Sequence, residues 1–202
     1  MSPFRTASLL AVAVLTMGSA LPLSAQQTGA AAAQNAAPAV AEKLKQPGLP
    51  NFGRVNQRLY RGGQPESEGY DALRKLEVGI VVNFNTSDED IREERAEVES
   101  RGMRYVSIPW SARSLPRREQ VAESFRLLRE NPEAVIFVHC RRGADRTGVM
   151  LATYRMALEG WTPEQALTEM ERFKFHGFWY RHLKRYVRQF PALLESDPGL
   201  SP

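Results

Sequence analysis

The amino-acid sequence predicts a three-layer α/β domain, in which a mainly parallel sheet of about four to five strands is flanked by helices. Two observations indicate this class. Short β-branched runs alternate with helical patterns between residues 58 and 190, as expected for a parallel sheet with both faces covered. The chain has 202 residues, of which 43% are hydrophobic and 25% charged, and this is enough for one domain with its own core.

The first 25 residues have the pattern of an export signal. Arg5 supplies a positive charge, an apolar stretch covers residues 7–23, and small residues at 18–20 or 23–25 could precede cleavage. Gly18 and Pro22 interrupt the stretch, so we expect no membrane span after cleavage. The protein is therefore predicted to be exported, either to a bacterial periplasm or out of the cell.

The rest of the chain is predicted to form a linker, one folded domain and a tail. Residues 26–50 are rich in Ala, Gln and Pro and predict a flexible linker, because they contain few large apolar side chains. The folded domain is expected over residues 51–195, and a disordered tail over residues 196–202. No internal repeat is visible.

The first half of the domain predicts two strands and two helices. A strand at 58–61 ends at a Gly-Gly-Gln-Pro turn, and a helix at 66–77 has Tyr70, Leu73 and Leu76 on one face. The β-branched run at 78–84 is typical of a buried strand, and Ser87 or Asp88 can cap the helix that follows at about 90–100.

The second half predicts a strand at 103–108, a loop at 109–116 and a helix at 117–130. Residues 134–139 form the most apolar strand of the chain. Three helices complete the domain, at about 146–159, 163–173 and 178–190. Ligands of parallel α/β sheets bind at the carboxyl ends of the strands, and Cys140 lies directly after the most apolar one.

Charge and cysteine content narrow the possible functions. The formal net charge is +4 and the sequence pI is about 9.4, which favours anionic partners without indicating nucleic acid. We therefore predict no nucleic-acid partner, and we expect a monomer. The single cysteine, Cys140, excludes an internal disulfide and any site built from several cysteines. The only three histidines are His139, His176 and His182, and the sequence shows no metal-binding cluster.

The segment 139–148, His-Cys-Arg-Arg-Gly-Ala-Asp-Arg-Thr-Gly, joins the apolar strand to a predicted helix. A loop at this position can point successive N–H groups inward, and the helix N-terminus adds positive potential. Such a site would stabilise the thiolate of Cys140 and then bind the oxygens of a phosphoryl group. Arg146 has the planar fork that binds two phosphoryl oxygens. The pattern thus predicts nucleophilic attack on phosphorus through a phosphocysteine.

The segment His-Cys-x-x-Gly-x-x-Arg-Thr-Gly resembles the signature of the protein tyrosine phosphatase superfamily, and the short domain resembles its dual-specificity branch. The resemblance covers about residues 55–190, and Leu59–Pro65 is similar to the opening strand and turn of small bacterial members. It implies a phosphatase without a metal or cofactor. In that interpretation Cys140, Arg146, Asp145 and Thr147 are catalytic and His139 supports the loop. Phosphate is bound by the loop residues Arg141, Arg142, Gly143, Ala144, Asp145 and Arg146.

The position of the general acid departs from the usual family pattern. Most members have an Asp on the loop after the strand that precedes the catalytic one, but residues 108–116 contain no acid. Asp145 resembles the loop Asp of myotubularin-like and Sac-like phosphatases, to which the acid role is assigned. A helix cap is its structural alternative. Asp88 and Asp90 are further candidates, since they follow the strand at 78–84.

The substrate class stays open at this stage. Arg141 and Arg142 would suit a phosphoinositide or inositol phosphate as well as a phosphorylated protein. Trp110 and Arg113 could contact substrate from the loop without an acid. Two other functions compete with a phosphatase: a phosphate-binding pseudophosphatase without a good acid, and a rhodanese-like sulfurtransferase, against which Arg146 argues.

Overall fold

The computed structural model describes residues 39–200. The predicted signal, most of the predicted linker and the last two residues lie outside the described range. Six strands form one sheet in the order β1-β2-β3-β6-β4-β5. Strands β3, β6, β4 and β5 are parallel, and the short β1 and β2 are antiparallel to their neighbours. The strands are Glu42–Lys43 (β1), Gly53–Arg54 (β2), Leu59–Gly63 (β3), Val78–Asn83 (β4), Arg104–Ser107 (β5) and Val135–Cys140 (β6).

Helices cover both faces of the sheet. Side chains alternate along β6, so that Phe137 faces the core beneath α1 and α2, while Ile136 and Val138 face the larger core beneath the other helices. The helices are Ser67–Lys75 (α1), Asp88–Ser100 (α2), Arg118–Glu130 (α3), Asp145–Glu159 (α4), Pro163–Arg172 (α5) and Arg181–Ser196 (α6). The predicted α/β class, its parallel strands and the order of its elements are confirmed.

Two boundaries of the predicted domain are wrong. Residues 39–50 belong to the fold rather than to a linker, because Ala41 and Leu49 are buried and the Ala41 N–H donates to Oε2 of Glu169 over 2.7 Å. They also supply β1, so the sheet has six strands instead of four to five. Only a few apolar residues of this segment are buried, so composition alone does not indicate that it packs on the domain.

The predicted disordered tail is also packed over its described part. Helix α6 continues to Ser196, and residues Pro198–Leu200 form a 3-10 turn whose Leu200 is buried. Asp197 accepts hydrogen bonds from the guanidinium of Arg118 on α3, which holds this end of the chain against the domain. No helix within residues 39–200 has the length and apolarity needed to cross a bilayer.

Candidate active site

Cys140 is the last residue of β6, and Asp145 is the first residue of α4, so residues 141–144 form a loop between the central strand and a helix N-terminus. Among the described residues, the N–H groups of 141–144 have no protein acceptor. Buried main-chain donors are almost always paired, so unpaired ones around a helix N-terminus indicate a site for an anion. The predicted anion nest is therefore compatible with this geometry.

Gly143 gives the loop its shape. Its φ is +64°, a left-handed conformation that side chains disfavour. A Cβ at this position would lie 2.3 Å from the carbonyl carbon and oxygen of Gly62 on β3. The loop thus packs directly on the backbone of the neighbouring strand, and only glycine fits both requirements.

Two polar side chains hold the loop carbonyls away from the anion site. Nδ2 of Asn51 lies 3.2 Å from the oxygen of Arg142, 3.1 Å from that of Gly143 and 2.9 Å from that of Phe173. Nη2 of Arg61 also donates to the Gly143 oxygen, over 3.0 Å. The carbonyl and the N–H of one peptide point in opposite directions. Because the carbonyls are bound outside the loop, the N–H groups of these peptides point toward the anion site.

Arg61 is completely buried in the centre of the fold. Its guanidinium stacks 3.8 Å from the ring centroid of Phe173 and lies 3.8 Å from the carboxylate of Glu169. Burial lowers the pKa of Arg61 to about 10, although the nearby Glu169 and Cys140 oppose this change. Neither Asn51 nor Arg61 is among the functional residues predicted from the sequence; the signal that could have identified Arg61 is an Arg inside a predicted strand.

Three of the four side chains predicted for catalysis, those of Cys140, Asp145 and Arg146, line one pocket of about 200 Å³. Cys140 is 2% exposed at its base. Nη1 of Arg146 donates to the carbonyl oxygens of Phe84 (2.9 Å) and Trp110 (3.4 Å), which fixes the side chain to the ends of two strands. Its Nε and Nη2 make no hydrogen bond to a described residue and remain available for two phosphoryl oxygens. The pocket is lined by Ala112, Cys140, Arg141, Arg142, Asp145, Arg146 and Tyr180.

Asp145 is buried and is bound by the segment between α5 and α6. Its Oδ1 accepts a hydrogen bond from the N–H of His176 over 2.9 Å, and both carboxylate oxygens lie 3.1 Å from Nδ1 of the same residue. The side chain of His176 is 36% exposed, so it connects the carboxylate to solvent. No local sequence pattern predicts this contact, because the two residues are 31 positions apart.

Thr147 and His139 are both fully buried beside the loop. The Thr147 hydroxyl has no hydrogen-bond partner within the described residues, so its bond to the Cys140 thiolate remains a prediction. The resemblance assigns His139 a supporting role at the loop, but neither ring nitrogen makes a hydrogen bond to a described residue. Its Nε2 instead lies 2.9 Å from Oε1 of Glu94, in a geometry that does not meet that of a hydrogen bond.

Glu94 of α2 is a buried carboxyl that collects donors from three elements. Its oxygens accept from the hydroxyls of Tyr70 (3.1 Å) and Tyr105 (3.2 Å) and from Nδ2 of Asn83 (2.6 Å). Burial and the Glu94 charge raise the pKa of both tyrosines. These hydrogen bonds stabilise the Glu94 carboxylate, whose burial would otherwise cost free energy. The carboxylate lies beside His139, near the carboxyl end of β6.

The other acid candidates lie elsewhere. Asp88 and Asp90 are exposed in the first turn of α2, and Asp90 lines a separate neighbouring cavity instead of the Cys140 pocket. Trp110 is 4% exposed and packs in the core, so the expected substrate contact by its side chain is wrong. Of the 109–116 loop, Ala112 reaches the pocket, and its carbonyl accepts from Nε2 of His182 over 2.9 Å.

Comparisons with known proteins identify similar chains. The family model described as "DSP-PTPase phosphatase fused to NAD+ Kinase" matches residues 45–188. The dual specificity protein phosphatase TpbA of Pseudomonas aeruginosa strain UCBPP-PA14 is 32% identical over 177 residues, covering 86% of this chain and 75% of TpbA. The inositol diphosphatase DSP5 of Arabidopsis thaliana is 24% identical over 149 residues, covering 71% of each chain.

Solved structures agree with this relationship. A crystal structure of P. aeruginosa TpbA has a TM-score of 0.66 and 29% identity, covering 79% of this chain and 96% of that one. A cysteine-to-serine variant of TpbA in complex with phosphotyrosine gives the same values. The catalytic core of the yeast phosphatase SIW14, at 18% identity and a TM-score of 0.61, covers 80% of this chain and 98% of its own and shares the fold.

Proposed function

The chain belongs to the dual-specificity-like branch of the protein tyrosine phosphatase superfamily, and on that basis we propose that it hydrolyses phosphotyrosine in proteins outside the cytoplasm, with Cys140 as nucleophile. Its activity as a cysteine-dependent phosphatase follows from the family, the named relatives and its only cysteine. The observation that carries the assignment of residues is the pocket where Cys140, Arg146 and Asp145 meet at the end of β6.

In the first step, the Cys140 thiolate attacks phosphorus, forming a sulfur–phosphorus bond as the bond to the leaving oxygen breaks. Arg146 and the N–H groups of the loop hold the other phosphoryl oxygens, where negative charge develops. Asp145 donates its proton to the departing oxygen. The product is a phosphocysteine and a neutral alcohol or phenol.

In the second step, water attacks the phosphorus of the phosphocysteine. Asp145, now a carboxylate, takes a proton from that water, and the sulfur–phosphorus bond breaks to return the Cys140 thiolate and inorganic phosphate. A hydrogen bond from the Thr147 hydroxyl would stabilise the departing thiolate. His176, which binds the Asp145 carboxylate, can orient it for both proton transfers.

Phosphotyrosine is supported by the TpbA complex, because that relative aligns along nearly its whole solved length. A phosphoinositide or inositol phosphate is the second candidate, since Arg141 and Arg142 are exposed at the pocket and can meet additional phosphates. Initial rates on phosphotyrosine, phosphoserine and phosphothreonine peptides and on phosphoinositides separate these candidates. Faster turnover of a phosphoinositide than of any phosphotyrosine peptide would refute the proposed substrate.

Replacing the nucleophile tests the mechanism. We expect Cys140→Ser to lose turnover of p-nitrophenyl phosphate while still binding phosphotyrosine, because the loop donors remain. Appreciable hydrolysis by this variant would exclude a phosphocysteine. If the unchanged protein binds the aryl phosphate without hydrolysing it, the protein is instead a pseudophosphatase.

Export is supported by the charged and apolar pattern of residues 1–25. Cell fractionation of a carboxyl-terminally tagged chain tests it, with the N-terminus of the purified protein read by mass spectrometry. We expect the protein in the periplasm or medium, beginning after residue 20 or 25. A cytoplasmic protein that keeps its first residues would contradict the proposed location.

A further inference from the structure

A second cavity, of about 470 Å³, adjoins the catalytic pocket. Arg141 lines both spaces, so the two cavities share one wall beside the place of the substrate phosphate. The walls of the cavity come from the turn after β3, from α1, from the end of β4 and from one face of α2. Its position makes it part of the surface that a peptide substrate would cover.

Acidic side chains of α2 dominate one wall. Asp90, Glu93, Glu94 and Glu97 follow the spacing that places residues on one helical face, and all four line the cavity. Among the described residues, Asp90 and Glu93 form no ion pair, whereas Glu97 pairs with Arg101 over 2.5 Å. Two exposed carboxylates therefore face the cavity without an ion-pair partner, and Arg141, the one cation among the described lining residues, forms no ion pair with either of them.

A buried amide in the cavity wall also lacks a partner. Asn85 lines the cavity and is only 5% exposed. Its Nδ2 donates to Oε1 of Gln64 over 2.6 Å, but its Oδ1 accepts no hydrogen bond from any described residue. Buried polar atoms are normally paired, so this acceptor calls for a ligand or water that donates. Apart from the Arg141 guanidinium at the boundary with the catalytic pocket, the free groups of the cavity are thus carboxylates and an amide oxygen, which are acceptors.

We propose that this cavity is a substrate subsite for the ammonium or guanidinium of a Lys or Arg near the phosphorylated residue. The inference rests on the proposed function, since it takes the Cys140 pocket as the place of phosphotyrosine. A cationic side chain would donate to Asp90, Glu93 and Asn85, whereas a second phosphate in the same cavity would meet two unpaired carboxylates. The subsite therefore favours a basic phosphopeptide over a polyanionic lipid on this side of the loop.

A set of phosphotyrosine peptides tests the proposal. Each has a neutral sequence with one lysine, placed at one of the three positions before or after the phosphotyrosine. Norleucine replaces lysine in the matched peptides, because it keeps the alkyl chain and removes the charge. We expect lysine at one or two positions to raise kcat/KM by about three- to tenfold, the range of a partly exposed ion pair, and added salt to reduce the gain. Peptide binding to Cys140→Ser should show the same preference.

Variants of α2 identify the cavity as the cause. Glu93→Gln should reduce the lysine preference and Glu93→Lys should abolish it, with p-nitrophenyl phosphate hydrolysed as before. Glu89→Gln is the matched control, since it removes the same charge from the same helix outside the cavity, and it should keep the preference.

Three results would overturn the proposal. These are equal kcat/KM for lysine and norleucine peptides at every position, a preference that survives Glu93→Lys, or equal losses from Glu89→Gln and Glu93→Gln. In each of them phosphotyrosine hydrolysis stands. Hydrolysis of no peptide and no aryl phosphate would instead refute the proposed function itself, and the subsite with it.

Discussion

The Asp145 carboxylate and His176 form a bonded pair, in which the main-chain N–H of His176 donates to Oδ1 over 2.9 Å and the imidazole Nδ1 lies 3.1 Å from both oxygens. The pair joins the first turn of α4 to the segment before α6. It therefore fixes, in the Cys140 pocket, an acid that the 109–116 loop does not supply.

Asp145→Asn should affect poor leaving groups far more than good ones, because p-nitrophenolate departs readily without a proton. We expect kcat for phenyl phosphate to fall by about 100-fold or more, with a much smaller loss for p-nitrophenyl phosphate. Asp88→Asn and Asp90→Asn serve as comparisons and should show no such dependence. Equal slowing of both substrates by Asp145→Asn would remove it as the general acid.

Replacing the imidazole should weaken acid catalysis without abolishing it, since the His176 N–H still binds Asp145. His176→Ala should lower kcat for phenyl phosphate by about tenfold, the effect of one hydrogen bond to a charged group. His176→Asn places an amide donor near the position of Nδ1 and should recover much of the loss. Unchanged phenyl phosphate turnover in His176→Ala would show that the imidazole does not position the carboxylate.

Gly143→Ala should destabilise the domain more than an alanine at another left-handed glycine. Gly102 is the control, because its φ is +73° and a Cβ there meets nothing within 4 Å. We expect Gly102→Ala to lower the free energy of unfolding by about 1–2 kcal/mol from backbone strain alone. Gly143→Ala adds the clash with Gly62, and it should also abolish phosphatase activity. Equal losses of stability in denaturant titrations would contradict this close approach.

Asn51→Gly removes the amide that binds three carbonyls and keeps the backbone conformation, whose φ is +51°. We expect kcat/KM to fall by about tenfold or more and vanadate to bind more weakly, because the N–H groups of the loop lose their fixed direction. Asn56→Gly is a suitable control, since its amide contacts Tyr154 away from the loop. Normal vanadate affinity in Asn51→Gly would show that the amide does not orient the loop.

Stability should decrease steeply above pH 10, because burial and the Glu94 charge raise the pKa of Tyr70 and Tyr105. These phenols stay protonated in the fold but ionise near pH 10 after unfolding, so their contribution is complete below pH 10 and is lost as pH rises. Each should reduce the free energy of unfolding by about 1.4 kcal/mol per pH unit above 10. Tyr105→Phe should make the alkaline decrease shallower; an unchanged slope would contradict the raised pKa.

The sequence was sufficient to predict the features that depend on local pattern. Hydrophobic period and turn residues predicted the parallel strands and the helices, and residue spacing predicted the loop between Cys140 and Arg146. Ala41 binds Glu169 and His176 binds Asp145, and the residues of each pair are more than 30 positions apart. No local pattern encodes such contacts. The cavity beside Arg141 likewise forms only when the end of β4 and the acidic face of α2 are brought together.

The backbone contact between Gly143 and Gly62 limits how the sequences of such domains can diverge. The phosphate loop is not a self-contained unit, because its carbonyls require Asn51 and Arg61. A Cβ at Gly63 of the adjacent strand would also lie 3.2 Å from the Arg141 oxygen and 3.3 Å from the Arg142 carbonyl carbon. Grafting residues 139–148 onto another α/β scaffold would fail unless Gly62 and Gly63, the last two residues of β3, were transferred too. Substitutions at Gly63 and Gly143, each of which would place a Cβ where the loop meets β3, should therefore be strongly non-additive, and divergence at one should restrict divergence at the other.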